Sequence, residues 1–142
     1  MGRINVARVL LGGLAAGVVA NGLDYVINTY LMQAEGIDMV QRLNLPADAY
    51  DTAVVTWIVV DFIWGLLLVF AYAAMRPRFG PGPGTAAISG GTLWMAVTAV
   101  FAGLTSTGIY TQQAYMKNSA LFLVSTLAAS LVGAYLYKED AS

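Results

Sequence analysis

Between Thr52 and Met75 the chain runs for 24 residues with a single charge, Asp61. A helix of that length rises about 36 Å, enough to cross the roughly 30 Å hydrocarbon core of a bilayer. An aspartate at the centre of such a helix costs about 2.5–3.5 kcal/mol on insertion, whereas the Val, Ile, Leu and Phe residues of this segment together return roughly 4–7 kcal/mol. Insertion wins, and the carboxyl group is expected to turn toward a bundle interior or a water-filled cavity.

Three further stretches have spanning length. They are Val6–Thr29, with Arg8 early and Asp24 late; Thr85–Ile109, inside the uncharged run from Phe79 to Met116; and Asn118–Tyr137. Hydrophobic residues make up 58% of the chain, charged residues 11%, and mean hydropathy is +0.68. A soluble fold of 142 residues has too little polar surface to cover that much apolar material. The expected fold is all-α: one polytopic domain over residues 1–142, a bundle of four transmembrane helices (6–29, 52–75, 85–109 and 118–137) with a short outer interfacial segment. Arg3 and Arg8 followed by Val9–Val19 and Ala20 also fit a cleavable signal. The apolar pattern continues through Tyr25, Val26, Ile27, Tyr30, Leu31 and Met32, which favours a retained span.

The connections carry the polar residues. Gln33–Tyr50 is too polar to span; Ile37, Met39, Val40, Leu43 and Leu45 among its charges predict a short amphipathic helix at the outer interface, stopped by Pro46. Arg76–Gly84, with three prolines and three glycines, is expected to let no helix continue and to leave the second and third spans adjacent. Arg3, Arg8, Arg76, Arg78 and Lys138 fall on one side of this arrangement. Arg42 and Lys117 fall on the other, with Glu35, Asp38, Asp48 and Asp51. The positive-inside rule then places both termini in the cytoplasm, in a multi-pass protein of a bacterial-type inner membrane. Arg76 and Arg78 are read as topology determinants and contacts for anionic lipid.

Each span offers a stripe of small or polar residues. In the first, Gly13, Gly17, Asn21, Asp24 and Asn28 recur at spacings of three and four, which keeps them on one helix face. The second presents Trp57, Asp61, Trp64 or Gly65, Leu68 and Tyr72. Gly91, Trp94, Thr98, Ala102 and Thr105 align on the third, and Ser119, Phe122, Thr126, Ser130 and Gly133 on the fourth. Small residues permit close helix approach in membranes, so Gly13, Gly17, Gly91, Ser130 and Gly133 are assigned to helix packing. The intramembrane polar site is assigned to Asp61, Asp24, Asn21, Asn28, Trp57, Trp64, Trp94 and Thr98. Counted from the outer helix ends, Asp61 lies ~15 Å deep and Asp24 ~7–8 Å, which pairs Asn21 with Asp61 and separates the two acids. No span offers a Lys or Arg at that depth, so Asp61 is neutral, hydrated, or paired with a cation from another protein.

The chain has no Cys and no His. That removes disulfides, thiol and imidazole catalysis, Cys/His zinc sites and ordinary haem ligation; no metal site and no cofactor are expected. A net charge of -1 without a basic patch gives no footprint for nucleic acid. No phosphate loop or His-Glu-x-x-His helix occurs, and two acids at different depths make a poor acid–base pair, so an enzyme is not expected. Two function classes remain. The first is an accessory, assembly or stabilising subunit of a larger membrane complex, with the bilayer and other membrane subunits or further copies of itself as partners. The second is a proton- or cation-coupled transporter of a small or lipophilic solute that uses Asp61, with Trp57, Trp64 and Trp94 lining an aromatic cage.

Overall fold

The structure, a computed structural model, describes residues 3–139; residues 1–2 and 140–142, including the extreme termini placed by the topology argument, lie outside the described residues. Five α-helices follow one another: α1 (Val6–Val26), α2 (Gln33–Arg42), α3 (Ala49–Phe79), α4 (Pro83–Ser106) and α5 (Gln112–Leu136), with a π-helical segment, Ile27–Leu31, extending α1. Four of these elements are long and apolar enough to cross a membrane: α1 with its π extension, α3, α4 and α5. The chain is thus an all-α, multi-pass membrane protein, and the outer shell of its helices contacts lipid.

Helix boundaries follow local chemistry. Asn5 caps α1, its side chain accepting from the Arg8 N–H at 2.9 Å, and Thr111 caps α5 through the Ala114 N–H at 3.1 Å. The Thr111 cap starts α5 at Gln112, six residues before the expected span, so its first turns are polar. Pro83 opens α4, where its missing N–H costs nothing. Two boundaries depart from expectation. α3 runs through Pro77 to Phe79, because a proline in the final turn removes only one hydrogen bond; Gly80, at φ 83, is what ends the helix. The π segment also breaks the regular face of the first span.

The four long helices form a ring in the order α1, α3, α4, α5, with α3 and α5 touching across the diagonal. α4 packs more extensively on α5 than on α3, so the adjacency expected of the second and third spans is the lesser of its two contacts. The centre is built from small residues: Ala16, Ala86, Ser89, Thr126, Ala129 and Ser130 are fully enclosed, and Leu68 and Val69 are the largest side chains to join them. Ridges this low let backbones approach closely, which drives association where lipid cancels the hydrophobic effect between helices. α1 is wedged at two crossings. A Cβ on Gly13 would lie 2.8 Å from the Leu66 Cα, and one on Gly17 would lie 2.9 Å from the Phe62 Cα; a Cβ on Gly65 would strike the Gly13 carbonyl and the Gly17 N–H. On its other side, a Cβ on Gly12 would sit 2.6 Å from the Gly133 carbonyl oxygen. α4 and α5 are stitched by Ser130, whose hydroxyl donates to the Ala86 carbonyl at 2.7 Å and faces the Ser89 hydroxyl at 3.3 Å.

α2 buries no residue and is held by polar contacts instead. Lys117 on α5 donates to Glu35 at 2.8 Å. Arg42 donates to Asp38 at 2.9 Å and to the carbonyls of Gly108 and Ile109 at 3.0 and 3.2 Å. These links strap α2 across the α4–α5 turn. The helix stops at Leu43 and Asn44, the latter at φ 50, two residues before Pro46.

Candidate functional site

Asp24 of α1 and Asp61 of α3 face each other inside the bundle, their carboxyl groups within hydrogen-bonding reach. Asp61 is buried at 7% exposure. The Ser125 hydroxyl of α5 donates to Asp24 Oδ1 at 2.9 Å, so three helices meet at the pair. A hydrogen bond between two carboxyl oxygens requires one acid to hold a proton, because an ionised carboxylate is an acceptor only. The ion pairs among the described residues, Arg42–Asp38, Arg76–Glu139 and Lys117–Glu35, all lie elsewhere. The pair can therefore carry one proton and one negative charge without a basic partner from this chain, and Ser125 steadies the charged partner.

Separation by depth fails for a geometric reason. Every Cα–Cβ bond leans toward its own helix N-terminus. α1 and α3 are antiparallel, so Asp24 leans toward the membrane centre while Asp61 leans away from it, and the two side chains converge. Asn21, expected opposite Asp61, reaches α3 one turn away: its side-chain amide donates to the Gly17 carbonyl at 3.0 Å and the Ile58 carbonyl at 3.3 Å. It clamps the crossing beside the pair rather than joining it.

The other candidate residues disperse. Asn28 is exposed, because the wide π turn rotates it off the stripe; its amide donates to the Asp24 carbonyl at 2.8 Å. Trp57 stands 53% exposed on the outward face of α3, away from the side on which Asn21 meets the Ile58 carbonyl. Trp64 turns inward, its indole N–H meeting Thr126 Oγ1 at 3.3 Å and its ring packing on Phe122 at 5.3 Å. Trp94 and Thr98 belong to the α4–α5 seam: the Trp94 indole donates to the Ser119 carbonyl at 2.9 Å, and the Tyr115 hydroxyl to the Thr98 carbonyl at 3.4 Å. Three indoles so placed form no common cage. Of the packing residues, Gly13, Gly17, Ser130 and Gly133 lie in helix contacts. Gly91 does not: a Cβ there meets nothing within 4 Å, and α4 instead packs through Thr85, Ala86, Ser89 and Gly90.

Ser125 was absent from the sequence-derived set. It lies one position from the Ser119–Thr126–Gly133 stripe, and neighbouring positions on a helix both turn inward when two partner helices flank the element. At the α2 end, a cavity of about 290 Å³ opens between α2 and the start of α5, lined by Ala34, Glu35, Asp38, Thr111 and Gln113. The hydrogen bond from Lys117 holds the Glu35 carboxyl below the ordinary glutamate range.

No protein-family model matches the chain, and no curated protein or solved structure is significantly similar to it.

Proposed function

We propose that this protein is a proton-coupled membrane carrier of a small or lipophilic solute, and that the Asp24–Asp61 pair is its proton-binding element. The observation that carries the reading is the carboxyl pair itself, bridging α1 and α3 within the bundle. Loss of its shared proton leaves two like charges in apolar surroundings, which forces the pair to separate or hydrate; a second proton removes the charge altogether. Either change acts directly on the α1–α3 crossing, the contact with the least steric slack. Proton occupancy is thereby tied to helix geometry, as coupled transport requires. The same pair makes no covalent chemistry in this reading, and the protein is not an enzyme. Its proposed setting is an inner membrane of bacterial type, with both termini in the cytoplasm.

Purified protein reconstituted into vesicles with an entrapped pH-sensitive dye tests the proposal. An imposed pH gradient, with tetraphenylphosphonium as a lipophilic probe, is expected to drive probe movement linked to proton flux in the wild type. Asp61→Asn should abolish the linkage while preserving the hydrogen bond to Asp24. Identical fluxes from wild type, Asp61→Asn and empty vesicles would end this reading.

An accessory-subunit role is favoured by a separate observation. The first turns of α3 expose Val54, Val55, Trp57, Ile58, Val59 and Val60, and α4 exposes Ala96, Ala99 and Gly103, giving a broad surface for a partner helix. A stoichiometric membrane partner retained on mild purification from the native membrane would support that role.

A further inference from the structure

At the end of the bundle opposite α2, a groove of about 310 Å³ runs between the start of α4 and the last turns of α5. Tyr72 forms its floor, Pro83 and Ala86 one wall, and Leu131, Ala134 and Tyr135 the other. The lining is apolar apart from tyrosine hydroxyls, and that of Tyr72 already accepts from the Gly82 N–H at 3.1 Å. Leu131 and Tyr135 are exposed, so the groove opens sideways. For helices that span a bilayer, sideways means toward acyl chains.

One helical turn beyond Tyr72 stands Arg76. Its guanidinium lies over the Tyr137 ring at 5.7 Å, and Tyr137 meets Tyr72 edge-on at 5.9 Å, so cation, ring and groove floor are contiguous. Among the described residues the acid that approaches it is Glu139, whose Oε1 stays 3.7 Å from Arg76 Nη1, outside hydrogen-bond range. Arg76 Nε and Nη1 are buried and have no hydrogen-bond partner. Guanidinium donors without an acceptor are costly, and a planar fork of this kind fits phosphate oxygens well. The side chain keeps 22% of its surface exposed, which leaves it reachable from the membrane surface. Arg78 and Lys138, close in sequence, add charge of the same sign at this end.

We propose that this corner is a binding site for one anionic phospholipid, with the phosphate on Arg76 and an acyl chain in the groove between α4 and α5. The phosphate takes up the place that Glu139 fills at too long a distance. A zwitterionic lipid offers the same phosphate, but its cationic headgroup offsets the attraction to a basic surface. The site commits to a lipid rather than free phosphate because the apolar slot and the unmet donors adjoin, and only an amphiphile uses both.

The test is a titration of the full-length protein in mild detergent with short-chain phosphatidylglycerol, phosphatidylcholine and inorganic phosphate. Bound lipid is counted by native mass spectrometry, and thermal stability is followed in parallel. Saturable binding of one phosphatidylglycerol is expected, with weaker binding of phosphatidylcholine and no stabilisation by phosphate alone. Arg76→Gln should weaken phosphatidylglycerol binding by about tenfold or more, the worth of a charge-assisted hydrogen bond. Leu131→Trp, which fills the groove and leaves every charge in place, should weaken it as well. Glu139→Gln should tighten it by removing the competing carboxylate. Equal affinity for the two lipids, stabilisation by phosphate alone, or unchanged binding in Leu131→Trp would each overturn the proposal. Should Arg76→Gln fail to fold, the Leu131 and Glu139 variants still decide it.

Discussion

Gly65→Ala and Gly22→Ala are the same chemical change on two membrane helices, and the structure assigns them opposite signs. At Gly65 the added methyl would meet the Gly13 carbonyl and the Gly17 N–H, both backbone and neither able to swing aside. Ordinary van der Waals contact begins near 3.4 Å, so α1 and α3 must part by several tenths of an ångström or more along the crossing. Overpacking of this kind costs about 1–3 kcal/mol. Separation also weakens the Asn21–Ile58 bond, already 3.3 Å long, which pushes the cost toward the upper end. At Gly22 a Cβ meets nothing within 4 Å. There the substitution only raises helix propensity, a gain of between roughly zero and about 1 kcal/mol, small because a span outside the bundle is already largely helical. The net difference between the two variants is therefore about 1–4 kcal/mol. Reversible unfolding in mixed detergent micelles, followed by intrinsic tryptophan fluorescence against the helical circular dichroism, measures it. Equal stability of the two variants, or a more stable Gly65→Ala, would refute the close-crossing argument.

Replacing Asp61 by Leu removes the partner of Asp24 and leaves that carboxyl with Ser125 alone, at a cost of about 1–3 kcal/mol; Asp61→Asn retains a donor and should melt close to wild type. Lys117 holds the Glu35 carboxyl below its ordinary range, so the strap contribution is full above ~4.3, the unfolded glutamate value, and is lost as pH falls through the lower folded value. Spin labels at the Glu35 end of α2 and on α5 should therefore hold a narrow distance distribution at neutral pH that broadens in strong acid; in Lys117→Ala it should already be broad at neutral pH, while Arg42 keeps the far end of α2 in place. A chain without native thiols permits a clean sidedness test. Single cysteines at Asp48 and Lys138 should react with an impermeant maleimide from opposite faces of the membrane, and labelling from one face would refute the topology.

Much of this architecture was legible because a bilayer restricts the choices: apolar runs of twenty or more residues are satisfied there as helices, and Gly13 and Gly17 on α1 and Thr126, Ser130 and Gly133 on α5 point inward as expected. The errors arose where one number stood for a three-dimensional relation. Depth counted from helix ends ignored the lean of side chains, and so separated Asp24 from Asp61. On α4 Trp94 and Thr98 face α5, but Gly91 does not, because small residues surround the helix and periodicity cannot choose among faces that are all small. Asn28 was misplaced by a π turn that no residue in Ile27–Leu31 announces. Pro77 does not stop α3, because a proline in a last turn has only one bond to break.

The π segment carries one residue more than an α-helix would need over the same stretch. Such an insertion is mobile in principle, since the extra residue can be handed to the preceding turn without breaking the chain or adding to its length. If it passed below Asp24, that residue would rotate by about 100° and advance by about 1.5 Å along the axis. The carboxyl would then leave Asp61 and swing toward the side now occupied by Tyr25 or Leu23. α2 is anchored to the same segment at one end and strapped to the α4–α5 turn at the other, which makes it a lever arm on that rotation. A gear with a single spare tooth sits between a surface helix and the half-buried Asp24, three residues from the group it would turn.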